Sequence, residues 1–509
     1  MNYQNTYDVI VVGAGNGGLA TAATIAKNGL STLVIEKNSV PGGCATSIRR
    51  GRFEFEPSLH ELANVGTKEN PGSIRKLFDS LGADVEWCVE DTAFRVIADG
   101  YDGYDVTLPA GIDAFCDKME QLVPGCRNSV EAFFEHVEKV NNAIAYLGSG
   151  KVDPRVLATE HADFMRMASH SVDEVLSALG MPQKAQNIMK TYWCYLGAPT
   201  DELDFAHYGM MVERYIKYKP GMPKYRSHAL SLALEKVIRD GGGELLYDTE
   251  VERILVRDGV VYGVVANGKE YYADRIVANC FPDTAYTRLI ERKEIPSDAV
   301  QLCSARESGP LFFTVYLGLN RTAEQLGIKD YSVFLYNSPD AREQFESCGD
   351  IENSMMIANC LNVVIPDSSP EGTSTLFLTT MLTEQAWGNV KPEDYKRMKN
   401  HIAERLIKTY EQRLGIRVSP YIEEIVIAAP PTFARYLNTP NGTPYGYRLL
   451  PWDTMINRMM NLKNESYIKG LYFTGAHAER SLGYSSTYAQ GSSVGKRILK
   501  EAKENGKSS

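Results

Sequence analysis

A chain of 509 residues, 44% hydrophobic and 23% charged, has the composition of a soluble globular protein and is too long for one core, so two or three domains are expected. Its net charge of -10 argues against nucleic acid as a general partner, because phosphate binding needs a basic face. Nine cysteines scattered singly, with no C-x-x-C pair, indicate neither a disulfide framework nor a zinc site. No metal site is expected, and the reducing cytoplasm fits best. The chain enters its first strand without a basic region followed by an apolar run, and no segment holds 18 uninterrupted apolar residues. The expected location is therefore cytoplasmic, or at most attached to a membrane surface.

In chain order, residues 7–12 form a short apolar strand that runs into Gly13-Ala14-Gly15-Asn16-Gly17-Gly18. A helix over 19–27 follows, Gly29 ends it, and a second strand over 32–35 delivers Glu36 with Lys37 beside it. Strand, glycine turn, helix, strand and acid are the order a dinucleotide-binding unit requires. Gly13 allows the tight turn, Gly15 lets a pyrophosphate approach the backbone, and Gly18 lets the helix pack on the strand. The helix N-terminus presents free N–H groups to the phosphates, and Glu36 can accept both hydroxyls of an adenosine ribose.

Next comes Pro41-Gly42-Gly43-Cys44-Ala45-Thr46, which is either a second place where backbone passes close to the cofactor or an ordinary turn. Phe53 and Phe55 alternate with Glu54 and Glu56 as in a half-buried strand, and Pro57 stops it. Ser58, His60 and Glu61 then sit just past a strand end, where ligand-contacting groups collect in open α/β sheets; the alternative is that His60 only caps or packs. Short strands are expected over 85–108 and helices over 113–219. Val130, Phe133, Phe134, Val137, Val140, Ile144 and Leu147 lay an apolar stripe on one helix face. Between Tyr208 and Arg226, four tyrosines interleave with Arg214, Lys217, Lys219, Lys224 and Arg226 against the single acid Glu213. That cluster is either a solvated helix face with snorkelling lysines or a surface for anionic lipid.

At Gly221 the chain returns to the first domain, with a helix over 229–239, a strand over 244–247, two hairpins turning at Asp258-Gly259 and Asn267-Gly268, and a buried strand over 273–279. Strands are expected over 311–317, 355–364 and 375–382, a helix over 401–414, a strand over 470–474 and a last helix over about 486–503. No second complete glycine motif with strand and acid follows. Electrons therefore come from a separate donor or acceptor, or there is no net transfer.

The order of these pieces resembles the phytoene desaturase, carotenoid isomerase and retinol saturase group of FAD oxidoreductases. The resembling segments are residues 9–36, Gly42-Gly43, 221–283 and 471–491. Pro430-Pro431-Thr432-Phe433-Ala434-Arg435-Tyr436 with Gly442-Thr443-Pro444-Tyr445-Gly446-Tyr447 resembles the isomerase and saturase branch. The resemblance implies an α/β protein with a discontinuous Rossmann-like FAD-binding domain (1–80, 221–290 and 465–509). Inserted in it are an α+β substrate domain and a helical subdomain (81–220 and 291–464). It places Gly13, Gly15, Gly18, Glu36 and Lys37 at the ADP half of FAD, Gly43 and Thr46 along the pyrophosphate and ribityl chain, and the Val251 backbone at the adenine. Gly475 comes to the ribityl phosphate region, and Ser485, Ser486 and Thr487 to the flavin pyrimidine edge, where a helix N-terminus stabilises charge building on a reduced ring.

Three segments depart from the pattern. Cys44 stands where many relatives have Arg, Glu56-Pro57-Ser58 replaces Asp-x-Gly, and Ala478-Glu479-Arg480-Ser481-Leu482-Gly483 lacks a Pro-Gly pair. These leave FAD binding intact and count against a carotenoid substrate. Saturating or desaturating a C=C bond needs one carbon over the flavin and a proton donor for the other. The candidates are Tyr445, ranked first, then His60 and Glu61, with Arg435 as a clamp on a carboxylate or carbonyl. The leading expectation is an FAD-dependent oxidoreductase acting on an apolar, lipid-like small molecule. A redox-neutral double-bond isomerase is the alternative, and a flavin-free prenyl-lipid carrier, as in Rab-GDP dissociation inhibitors, is a third.

Overall fold

The computed structural model describes residues 5–148, 152–455, 457, 467–478 and 482–506; Glu479, Arg480 and Ser481, the middle of one departing segment, lie outside them. The first strand, Val9–Val12, is buried along its whole length, as its unbroken apolar run requires of a strand covered on both faces. It is the centre of a five-stranded parallel sheet in the order Leu471–Phe473, Ile276–Ala278, Val9–Val12, Thr32–Ile35, Glu244–Leu246. Segments more than 200 residues apart thus meet in one sheet, and each strand falls within 1–80, 221–290 or 465–509.

The helix Asn16–Lys27 packs on this sheet between His228–Asp240 and Tyr484–Gly506. Small residues set the approach to the last helix: a Cβ on Gly491 would stand 2.3 Å from the Gly17 carbonyl oxygen. Thr21 Oγ1 donates to the Gly491 carbonyl at 2.8 Å, which fastens the tail of the chain to its head. Beside the parallel sheet lies an antiparallel one, Val251–Arg257, Val260–Ala266 and Lys269–Tyr272. Its turns have positive φ at both central residues, 52° and 73° at Asp258-Gly259 and 46° and 72° at Asn267-Gly268, the conformation these dipeptides favour.

The second half is built on a seven-stranded mixed sheet. Its order is Ile422–Ala428, Leu311–Leu319, Ser374–Leu382, Met356–Cys360, Ser332–Tyr336, Thr92–Ala98, Tyr104–Pro109. These strands fall within 81–220 and 291–464. Leu311–Leu319 is buried throughout, and its alternation explains why: Leu311, Phe313, Val315 and Leu317 pack with Ile402, Leu406 and Tyr410 of the helix Tyr395–Leu414. Phe312 and Tyr316 face the other way, toward a helical block spanning 112–217. There the expected stripe of Arg127–Gly148 is buried through Val130, Phe133, Phe134, Val137 and Val140. Among the described residues no helix is long and apolar enough to cross a membrane, and no three His, Cys, Asp or Glu side chains are grouped to hold a metal ion.

Candidate active site

A cleft of about 550 Å³ runs from the carboxyl ends of the parallel strands into the space between the large sheet and the helical block. Its first half is backbone and glycine. The helix Asn16–Lys27 starts at Gly15 without a side-chain cap, so its first-turn N–H groups are open to the cleft. A Cβ on Gly15 would lie 2.6 Å from Asn279 Nδ2, and one on Gly18 only 2.2 Å from the Gly13 carbonyl oxygen. Gly13 itself has φ 98° and Gly43 φ 59°, with Gly43 so close that its Cβ would meet the Gly15 Cα at 3.3 Å. The two glycine segments therefore form one cradle, which favours the close-pass reading of Gly42-Gly43 over the ordinary turn. Glu36 is buried; its Oε2 accepts the Ala14 N–H at 2.7 Å and its Oε1 the Asn38 N–H at 2.8 Å. The carboxylate is thereby locked at the rim of the glycine turn.

Lys37, Val251, Gly475, Ser485, Ser486 and Thr487 also line the cleft. Lys37 Nζ donates to the Arg435 carbonyl at 3.0 Å, and Ser485 Oγ to the Ala63 carbonyl at 2.7 Å. The last helix begins at Tyr484, two residues before the expected start, so its first-turn amides sit at the far end of the cradle. Thr46 is placed differently from the expectation. It lies outside the cleft wall, because the turn at Ala45 is drawn toward Ser231, whose Oγ donates to the Ala45 carbonyl at 2.7 Å. Asn279 and His477 also line the cleft, and nothing in the local sequence singles them out. Asn279 reads as the end of a buried strand, and only the long-range pairing of Val9–Val12 with Ile276–Ala278 brings it beneath the glycine turn.

The second half is aromatic and apolar, with Tyr195, Leu196, Met211, Tyr215, Phe312 and Tyr445 in its wall. Tyr445 enters it, yet its hydroxyl donates to the Cys194 carbonyl at 2.8 Å, and burial raises its pKa well above 10. That bond commits the proton to a protein acceptor, so Tyr445 does not keep its first rank as donor. His60 is buried, its Nε2 lies 3.2 Å from Thr379 Oγ1, and burial lowers its pKa to about 3. It is a neutral ring in the cleft wall that packs on Phe377 at 5.6 Å between centroids.

Glu61 differs from both. It lines the cleft, its Oε1 accepts the Tyr195 hydroxyl at 3.0 Å, and its Oε2 is buried with no hydrogen-bond partner among the described residues. An ionised oxygen in that position would be costly, and burial raises the carboxyl pKa from 4.5 to about 8. Glu61 is thus a protonated acid at neutral pH in an apolar wall. Nearby Glu90, pushed upward by burial and then by Glu61, is held neutral with it.

Arg435 is corrected outright. It sits on the helix Pro430–Leu437 with its side chain exposed, 5.8 Å over the Tyr436 ring and outside the cleft wall, so it clamps nothing there. The segment that replaces Asp-x-Gly also has a structural task. Glu56 accepts from Ser227 N at 2.7 Å, Ser227 Oγ at 2.8 Å and Leu59 N at 2.9 Å, pinning the 56–59 loop to the start of His228–Asp240. Cys44 lines the cleft as a thiol whose pKa burial pushes up to about 11.

The basic cluster is largely neutralised. Lys217 pairs with Glu213 at 3.1 Å, Lys219 with Asp91 at 2.5 Å, Lys224 with Glu86 at 3.1 Å and Arg226 with Glu54 at 2.6 Å, while Tyr208 and Tyr215 are buried. The helix Phe205–Lys217 in this stretch is mostly buried, so it is not the expected solvated face, and Arg214 is the exception to the pairing of its cations.

A model of the NAD(P)-binding Rossmann-like domain matches residues 11–81. The all-trans-retinol 13,14-reductase of Danio rerio is 24% identical, over 92% of this chain and 82% of that protein. The chloroplastic prolycopene isomerase of Daucus carota is 22% identical, over 92% of this chain and 76% of that protein. Among solved structures, an oxidoreductase from Methanosarcina mazei shares the fold with a TM-score of 0.62 at 17% identity, covering 96% of this chain and 99% of that one. Over nine-tenths of its length the chain is therefore a distant relative of the retinol 13,14-reductases and prolycopene isomerases, folded around a Rossmann-like dinucleotide cleft.

Proposed function

We propose that the protein is an FAD-dependent oxidoreductase that saturates or desaturates a carbon–carbon double bond of an apolar, lipid-like molecule. The observation that carries this is the continuity of one cleft, with a glycine cradle at one end and an apolar wall holding the protonated Glu61 at the other. The residues present fit FAD: Gly15 and Gly43 keep the turn bare of side chains, the open first-turn amides suit the charge of a pyrophosphate, and the Glu36 carboxylate at the rim of the turn suits ribose hydroxyls. When bound, the flavin supplies or accepts a hydride at one carbon of the substrate.

The remaining tasks fall to the chain. Tyr195 orients the Glu61 carboxyl through Oε1, which leaves Glu61 to give the other carbon its proton in saturation, or to take it back in desaturation. His60, neutral, and Phe312 and Tyr445, packed edge to face at 5.0 Å, exclude water and hold the chain of the substrate. A redox-neutral isomerisation is the second reading, favoured by the prolycopene isomerases, which match at nearly the same identity as the retinol reductases. In saturation or desaturation a separate donor or acceptor exchanges electrons with the flavin, whereas isomerisation needs no net transfer; in either case the protein works in the cytoplasm or against a membrane surface.

The test is anaerobic. The purified protein should be yellow with one FAD per chain, and after reduction it should be reoxidised by unsaturated fatty acids, enones or polyenes as a class. Turnover without stoichiometric electron consumption would select the isomerase reading. A colourless protein that binds a prenylated peptide would replace both with the carrier.

A further inference from the structure

Arg214 stands apart from every other cation of the 208–226 stretch. It lies on the face of the helix Phe205–Lys217 that also gives Met211 and Tyr215 to the wall of the cleft, the spacing of one helical stripe. Its backbone is fixed there, because the Arg214 carbonyl accepts the Asn64 N–H at 3.2 Å. The lysines and the arginine that follow it each meet a carboxylate, whereas the Arg214 guanidinium has no hydrogen-bond or ion-pair partner among the described residues.

Its chain neighbour does not serve. Glu213 spends Oε1 on Lys217 Nζ at 3.1 Å and Oε2 on Asn141 Nδ2 at 2.8 Å, a quarter-turn around the helix from the cleft. Glu61, the acid in the apolar wall, is held protonated and offers no countercharge. Burial lowers the pKa of Arg214, but a guanidinium stays charged at neutral pH. Arg214 is half-buried in the cleft wall, so an apolar substrate that fills the cavity would strip water from a charged group with five donors, which is costly unless an anion completes it. The planar fork matches a carboxylate, which it can hold through two parallel N–H···O bonds.

We propose that the substrate is a lipid-like molecule bearing a carboxylate, and that Arg214 anchors this head group in the apolar half of the cleft. The proposal rests on the lipid-substrate reading above and narrows it. A neutral alcohol or hydrocarbon would bury the guanidinium against nothing, so the same residue selects against uncharged analogues. It also fixes the reacting bond at a set number of carbons from the head group.

The experiment uses the FAD-loaded protein, titrated below micellar concentrations with linoleate and with methyl linoleate, the visible flavin spectrum reporting binding. The acid should bind about 10- to 100-fold tighter than the ester, the range of a charge-assisted bond. Arg214→Gln should remove that preference with flavin content and ester affinity unchanged, and Arg214→Lys should keep part of it as a point charge. Equal affinities in the wild type would overturn the carboxylate proposal while leaving the lipid reading standing. So would a preference that survives in Arg214→Gln, above all if that variant loses FAD or shifts its spectrum, which would assign Arg214 to the cofactor. If the Gln variant does not fold, an acid-to-ester ratio in Arg214→Lys equal to that of the wild type overturns the proposal and a smaller ratio supports it. Failure of both probes to perturb the wild-type flavin would overturn the lipid reading, and the carboxylate with it.

Discussion

The two halves of the cleft are made in opposite ways. The dinucleotide half is backbone: its specificity lies in where side chains are absent, and a Cβ at Gly15 or Gly18 collides at 2.6 Å or 2.2 Å. The substrate half is side chain, a wall of aromatics in which a few polar groups are singled out by the partners they lack. A site built from absences tolerates almost no substitution, because an atom added at Gly15 or Gly18 falls on Asn279 or on the Gly13 carbonyl, the atoms that shape the turn. One built from large side chains tolerates change everywhere except at its polar points.

The first way to break this contrast gives the largest effect. Gly15→Val should leave a folded but colourless protein, since its Cβ would stand 2.6 Å from Asn279 Nδ2 and force the turn out of the shape a pyrophosphate needs. Visible absorbance and circular dichroism on the same sample check it. A variant that keeps its flavin would show that the cradle does not hold the cofactor.

At the substrate end the sharpest point is Glu61. Glu61→Gln keeps the shape and the Tyr195 bond but removes the acid, so flavin reoxidation by substrate should slow by about 10²- to 10⁴-fold with FAD retained. In the wild type the same rate should be flat at neutral pH and fall as pH rises through about 8, where the carboxyl ionises. Stability follows the same group. Between 4.5 and about 8 the folded protein keeps a proton that the unfolded chain has released, so stability declines with rising pH across that window. Chemical denaturation at several pH values should show that slope in the wild type and a shallower one in Glu61→Gln. A pH-independent rate would remove Glu61 from the chemistry.

The sequence makes these halves unequally legible. The cradle is local: strand, glycine turn, helix and acid lie within 36 residues, and the spacing alone specifies the geometry, so Gly13, Gly15, Gly18 and Glu36 can be named before any fold is known. The alternation of Phe53 and Phe55 and the Asp258-Gly259 and Asn267-Gly268 turns are local in the same sense. Asn279 and Glu56 were opaque because their partners, the glycine turn and Ser227, are brought to them only by folding. Tyr445 was misjudged for a related reason. Its flanking Pro and Gly aim the ring correctly, but the Cys194 carbonyl that takes its proton comes from a 3₁₀ turn 251 residues away. In sequence Arg214 is indistinguishable from its basic neighbours, because spacing alone does not say which face of a helix meets a cavity.

Tyr445→Phe therefore tests packing rather than chemistry. Losing the bond to the Cys194 carbonyl should cost about 1 kcal/mol of stability, seen as a lower melting temperature, with turnover nearly unchanged. A rate loss as large as that of Glu61→Gln would return the proton to the tyrosine and reverse the assignment.

The smallest effect belongs outside the cleft, where the paired cations set the limit of the contrast. Lys219 and Lys224 are committed to Asp91 and Glu86, and the exposed ring of Tyr225 stands alone among the tyrosines of this stretch. Lipid headgroups would have to compete with carboxylates already in place. Exposed pairs of this kind contribute roughly 0.2–1 kcal/mol each, so Lys219→Gln with Lys224→Gln should change stability by no more than about that amount. Sedimentation with vesicles of neutral and of anionic composition should show equal binding for the wild type and the double variant at physiological salt. If the wild type instead prefers anionic vesicles, and that preference weakens with added salt and with the two substitutions, the pairs open on a charged surface and the face is a membrane contact after all.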